Sequence, residues 1–220
     1  MTRPEPGSAL ADDPAPVEVL ESERVFEGRV WDVRSDTFIY GDERITRDYV
    51  DHPGAVGVFA IDDDDRVFLI QQYRHPIGFR DWEIPAGLLD VDGESPLDAA
   101  KRELAEEADL VAADWAVLTE FWTSPGGSDE SIRVYLARGL SAAPEAFTRE
   151  AEEADMQTAW VPLDELVDAV LTRRLANSPL LIATLTAHAA RERGWQTLGA
   201  ADAPWPTRSP GRGGTRAGAE

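Results

Sequence analysis

Glu103, Glu106 and Glu107 stand at i, i+3 and i+4 in a stretch whose residues Leu97, Ala100, Leu104 and Ala108 recur on one helical face. On such a helix the three carboxylates project side by side, and like charges at that spacing repel. Helix propensity therefore does not account for them. A bound divalent cation turns the repulsion into ligation. Oxygen donors with open coordination positions suit Mg²⁺, which keeps waters and takes up substrate phosphates. Arg102, next in line, can pair with a carboxylate and fix its orientation. Gly87 lets its loop turn tightly and bring backbone carbonyls toward the metal. The chain has no cysteine, and His52, His75 and His188 are far apart in sequence. A metal here is therefore held by carboxylates and is a hard ion.

The charge balance narrows the partners. The 220 residues carry 21 Lys and Arg against 42 Asp and Glu, a formal net charge of −21. Such acidity argues against binding a nucleic-acid backbone and against an anionic membrane surface. No apolar run approaches the ~20 residues of a membrane span. The opening MTRPEPGSALADDPAPVE lacks the apolar stretch of a signal peptide. The absence of cysteine fits a reducing cytoplasm. Windows 81–107 and 145–168 each carry −7, so most of the acidity of the chain between its tails lies in two places.

The elements that must position these groups are legible in outline. Residues 1–18, with four prolines, and 199–220, with three Pro and five Gly, read as disordered tails. Strands are expected over Glu23 to Tyr40, with a bend at Gly28, and over Ile45 to Val50. Another covers Gly54 to Ile61, and Arg66 to Tyr73 returns beside it as a hairpin partner across Asp62 to Asp65. A helix over Ser95 to Ala108 is capped by Ser95, with Pro96 in its first turn. Strands follow at Trp115 to Thr123, Ser131 to Arg138 and Gln157 to Val161. Two helices close the core, Leu163 to Arg174 and Pro179 to Glu192, the second capped by Ser178. The pattern is that of a mixed α/β domain.

The carboxylates sit in a longer pattern. Gly87, six residues, Glu94, seven residues, then Arg102-Glu103-Leu104-Ala105-Glu106-Glu107-Ala108-Asp109-Leu110 resembles the Nudix box. Two positions depart from it. The first spacer is one residue longer than the motif's five, and Asp109 stands where the motif has Gly. That position takes a left-handed conformation, which Asp tolerates better than most residues. The resemblance implies an α/β/α sandwich around a mixed sheet, spanning residues 51–198. Residues 19–50 would then be a strand region used in dimerisation.

Within that family the chain looks like the ADP-ribose pyrophosphatases, over roughly residues 20–195. Trp82-Glu83-Ile84-Pro85-Ala86-Gly87, Gln72-Tyr73-Arg74 and Pro125, fifteen residues past Leu110, carry this likeness. It implies hydrolysis of ADP-ribose to AMP and ribose 5-phosphate, with Mg²⁺ and with Mn²⁺ as a substitute. The Ala86 carbonyl, Glu103 and Glu107 would be metal ligands, and Glu106 would hold a metal or its water. Arg74 would meet substrate phosphate, with Trp31, Trp82, Glu83, Gly126 and Glu130 as further substrate contacts. In this group an acidic loop before the last strand supplies the general base, and Glu152 and Glu153 both fit that place. A homodimer is implied. Two other readings stay open: a pyrophosphatase for another nucleoside diphosphate sugar such as GDP-mannose, and a catalytically silent module that binds ADP-ribose.

Overall fold

The computed structural model describes residues 10–144 and 156–208. Glu152 and Glu153 lie outside the described residues, and so do most of the acidic residues of the second window. The chain divides into two units, residues 1–50 and 51–220.

In the first unit, β1 (Val19–Glu27), β2 (Asp32–Tyr40) and β3 (Glu43–Asp51) form a sheet in the order β1-β2-β3. Gly28 follows β1 at the expected bend, where a Cβ would lie 2.0 Å from the Trp31 carbonyl oxygen. Cross-strand polar pairs hold the sheet. Thr37 Oγ1 meets Thr46 Oγ1 at 2.9 Å, and Asp36 accepts from the Ser22 and Tyr49 hydroxyls. Its apolar groups remain largely outside: Val25, Phe26 and Tyr40 are all exposed.

In the second unit the two-residue period of the strands sets the layers. Strand β4 (Ala55–Ala60) is buried at every position. Its Val56, Val58 and Ala60 pack with Ala99, Ala100, Leu104 and Ala108 of α1 (Pro96–Ala108). Its Ala55 and Phe59 pack on the other side with α2 (Leu163–Leu171) and α3 (Ser178–Arg191). Strand β5 (Arg66–Arg74) divides in the same way, Phe68 and Ile70 toward α1, Val67 and Leu69 toward α2 and α3. The result is the expected α/β/α sandwich. The remaining strands are β6 (Phe79–Glu83), β7 (Ala86–Leu88), β8 (Leu110–Trp122), β9 (Ser131–Ala142), β10 (Gln157–Pro162) and β11 (Gly199–Ala200). One sheet has the order β11-β8-β9-β4-β7 and is mixed, because β4 and β9 run parallel while its other pairs are antiparallel. The other has the order β10-β5-β6 and is antiparallel.

Three expectations are corrected. The aspartates 62–65 do form a turn, with the Asp65 N–H donating to the Asp62 carbonyl at 3.1 Å. However, the two segments pair through an isolated bridge, Ile61–Val67, and β4 and β5 belong to different sheets. Strand β9 runs along one whole edge of β4, and β7 takes the other edge at Ala55, Val56 and Gly57. The cap of α3 is Asn177, not Ser178: the Asn177 side-chain oxygen accepts from Leu180 N–H at 3.1 Å. Ser178 then becomes the first helical residue.

The third correction concerns the tail expected from residue 199. Gly199 and Ala200 pair with Val117 and Ala116 of β8, and the residues beyond keep contact with the domain, as far as Arg208 on the Pro53 carbonyl. The cause is Arg133, only 2% exposed, whose guanidinium binds Glu120 and donates to the carbonyls of Ala203 and Pro204 at 2.8 and 2.9 Å. The Trp205 ring lies over it, 4.8 Å from centroid to Cζ. A buried cation needs such acceptors, and a late segment supplies them.

Helix α1 ends as the sequence suggests. Ser95 Oγ accepts from Asp98 N–H at 3.1 Å at its start. Asp109 closes it at φ 53°, ψ 33°, in the left-handed region, with its N–H donating to the Ala105 carbonyl.

Candidate active site

Helix α1 meets β7 at its carboxylate edge, and there the absence of a side chain matters. A Cβ at Gly87 would lie 1.8 Å from Glu103 Oε1. Glycine thus lets Glu103 lie this close, rather than serving the tight turn expected from the sequence. One residue earlier, Ala86 N–H donates to Glu107 Oε2 at 2.9 Å, and Glu107 is only 5% exposed. These groups line a cavity of about 390 Å³ that also takes in Glu106, Arg74, Gln72 and Asp90.

Arg102 stands among the carboxylates. Its Nε and Nη2 bind both oxygens of Glu94 at 2.9 and 3.0 Å. Its Nη1 reaches Glu103 Oε1 at 2.6 Å and Glu106 Oε2 at 3.1 Å. The bonds to Glu94 foremost, then Glu103 and Glu106, hold its pKa well above the ordinary arginine value, against the opposing effect of burial.

The donor set fits a hard divalent cation: three carboxylates on one helical edge, beside a backbone cradle that a methyl group would fill. Among the described residues no three acidic or histidine side chains already converge as ligands. Glu103 and Glu106 lean on Arg102, and Glu107 leans on Ala86 N–H.

Arg74 enters the cavity from the end of β5. Its Nε and Nη2 bind the two oxygens of Glu83, each at 2.7 Å. Burial pushes the Glu83 carboxyl above the ordinary carboxylate range, Arg74 pulls the other way, and Asp81 adds to the push. Asp81 accepts from the Asn177 side-chain amide at 3.1 Å, which ties β6 to the start of α3.

The expected site residues are thus partly gathered. Arg74, Ala86, Glu103, Glu106 and Glu107 share the cavity. Trp82 lies on β6 against the core, and its neighbour Glu83 is the clamp on Arg74. Gly126 lies in an exposed turn between β8 and β9. Glu130 accepts from Thr123 Oγ1 at 2.5 Å and faces His52. Trp31 belongs to the first unit. Gln72 and Asp90 line the cavity without having been singled out, although Gln72 sits in the element that carries Arg74.

His52 is a further unanticipated group. Its Nδ1 accepts from Gly54 N–H at 2.9 Å, so Nε2 carries the proton and faces Glu130 Oε1 at 3.2 Å. Its backbone N–H donates to Asp129 Oδ1 at 2.9 Å. Burial lowers the His52 pKa below 6.5, and it outweighs the opposing fields of Glu130, Asp129 and Asp51. The unfolded chain therefore takes up a proton at a pH where the fold does not. The His52 contribution to stability is present above pH 6.5 and is lost as pH falls through the lowered folded value. Asp129, raised by burial, acts with the opposite sign, nearer the carboxylate range. The expected result is that the thermal midpoint of the wild type falls more steeply between about pH 7 and 5.5 than that of His52→Gln. Parallel slopes would remove His52 as the cause.

Known proteins resemble this chain in sequence and in fold. The NUDIX domain family model matches residues 51–182. The chain is similar to an ADP-ribose pyrophosphatase of Mycobacterium tuberculosis (strain ATCC 25618 / H37Rv). The two are 45% identical over 175 residues, covering 78% of this chain and 83% of that protein. An ADP-ribose pyrophosphatase of Bacillus subtilis (strain 168) is 35% identical over 158 residues, covering 71% and 84%. Among solved structures, a crystal structure of ADP compounds hydrolase superposes with a TM-score of 0.69 at 20% identity. It covers 84% of this chain and 99% of its own, which is a likeness of fold.

Proposed function

The chain belongs to the NUDIX family, and from that footing we propose that it is a pyrophosphatase that hydrolyses ADP-ribose to AMP and ribose 5-phosphate. The observation that carries this is the meeting of Glu103 and Glu107 with the bare backbone of Ala86 and Gly87 in one cavity. The activity named for the Mycobacterium tuberculosis relative supports the substrate.

A divalent ion, Mg²⁺ by preference with Mn²⁺ as a substitute, is held in this reading by Glu103, Glu106, Glu107 and the Ala86 carbonyl. When bound it supplies a Lewis acid for a phosphoryl oxygen and lowers the pKa of water. The protein's own residues do the rest. Arg74, pre-aligned by Glu83, presents positive charge to the diphosphate. Glu152 or Glu153 takes the proton of the attacking water. In-line attack at one phosphorus then splits the P–O–P bridge. Trp82, Gly126 and Glu130 remain further substrate contacts of this reading, outside the lining of the cavity.

We infer a homodimer built through the first unit. The exposed Val25, Phe26 and Tyr40 of that sheet support this reading, because such a surface favours a partner. A monomeric mass by light scattering at micromolar concentration would overturn it.

The test of function is release of AMP from ADP-ribose, run beside GDP-mannose, with and without Mg²⁺. The expected result is metal-dependent hydrolysis with ADP-ribose preferred. Preference for the guanine sugar would move the assignment within the nucleoside diphosphate sugars. Tight binding of ADP-ribose without hydrolysis would make the protein a silent binding module.

A further inference from the structure

Arg102 divides its guanidinium between two kinds of partner. One edge, Nε and Nη2, grips both oxygens of Glu94, the fork geometry in which arginine binds a carboxylate most firmly. The remaining corner, Nη1, is shared by Glu103 and Glu106. These are two of the carboxylates whose mutual repulsion on α1 calls for a cation. The group is partly withdrawn from water: the Glu94, Glu103 and Arg102 side chains are 15%, 12% and 31% exposed. Attraction between charges is stronger there than at an open surface. Arginine does not lose its proton in proteins, so its charge leaves Glu103 and Glu106 only if contacts are exchanged.

We propose that Arg102 is a resident counter-ion that competes with the divalent metal for Glu103 and Glu106, while its grip on Glu94 keeps it at the site's edge. This rests on the metal-site reading above and deepens it. The repulsion between Glu103 and Glu106 is thereby eased before any metal arrives. Loading the site transfers two carboxylates from Nη1 to the ion, and this competition weakens metal affinity. A residue that merely oriented Glu103 would have the opposite effect, because its loss would loosen the ligand and weaken binding.

The test is Mn²⁺ binding by calorimetry without substrate, together with thermal midpoints with and without Mn²⁺. The variant is Glu94→Gln/Arg102→Gln, which removes anchor and guanidinium together and so leaves neither charge of that pair unmatched. Mn²⁺ is expected to bind about tenfold tighter than to wild type. The midpoint without metal should fall, and the rise on adding Mn²⁺ should exceed that of wild type. A variant that folds only with Mn²⁺ gives the same result in its strongest form. Arg102→Lys, which keeps the charge, should bind Mn²⁺ close to wild type. Unchanged or weaker Mn²⁺ affinity in the double variant overturns the proposal, as does a variant that Mn²⁺ stabilises no more than wild type. Glu103→Gln in the same assay separates the two readings. If that change leaves Mn²⁺ binding intact, the metal site itself is wrong.

Discussion

Glu107→Gln is expected to lower ADP-ribose turnover by about three orders of magnitude, roughly 4 kcal/mol of barrier, without disturbing the fold. The substitution is nearly isosteric, and the glutamine carbonyl can still accept the 2.9 Å bond from Ala86 N–H. What disappears is one negative charge on a helix edge that carries three. In the metal-free protein that loss relieves repulsion, so the thermal midpoint should hold or rise. In the loaded protein it removes a hard anionic ligand. Parallel measurement of turnover with Mg²⁺ and of the unfolding midpoint separates these effects. Undiminished turnover would take Glu107 out of the metal site.

Gly87→Ala is the second large effect, and it arises from space rather than charge. Its methyl group would stand 1.8 Å from Glu103 Oε1 and 2.1 Å from Cδ. No contact that short survives, and Gly87 lies in a strand paired to β4, so the carboxylate gives way first. Displacement of a ligand by about 1 Å is enough to cost about a hundredfold in rate. The strain should also cost about 1–3 kcal/mol of stability, as overpacking does. Weakened Mn²⁺ binding together with lost turnover is the expected pair of results. An alanine variant with full activity would show that Glu103 has another productive position.

These two residues illustrate how far the sequence could be read. The carboxylate edge of α1 was legible because its ligands lie within five consecutive residues and its start signal, Ser95-Pro96, is local. The importance of Gly87 was visible from the motif, but its reason was not. The contact that requires glycine comes from a residue sixteen positions later, and no local pattern encodes it. The cap of α3 failed for a different cause. Asn177 and Ser178 are adjacent and both are good caps, and the bond from Asn177 to Asp81 ties the first to β6. The pairing of β4 with β5 failed because two apolar runs around an Asp-rich turn look alike whether the strands pair or part. The decision belongs to β9, which takes one whole edge of β4, and to β7, which takes the first half of the other. Glu130 was expected as a substrate contact, but its meeting with His52, far away in the chain, had no local signal.

The late segment over Arg133 has a consequence for how the protein is made. The acceptors for that guanidinium are 70 and 71 residues downstream, and Arg208 reaches back 155 residues to the Pro53 carbonyl at 3.5 Å. During synthesis the middle strands emerge long before the residues that satisfy Arg133. Until then the nascent sheet carries a cation that must stay wet, so β8 and β9 cannot close dry against their final neighbours. Completion of the core is thereby deferred to the moment residues 199–208 leave the ribosome. A chain cut short before that point would lack the acceptors its own interior requires, and quality control would meet it as an unfinished fold.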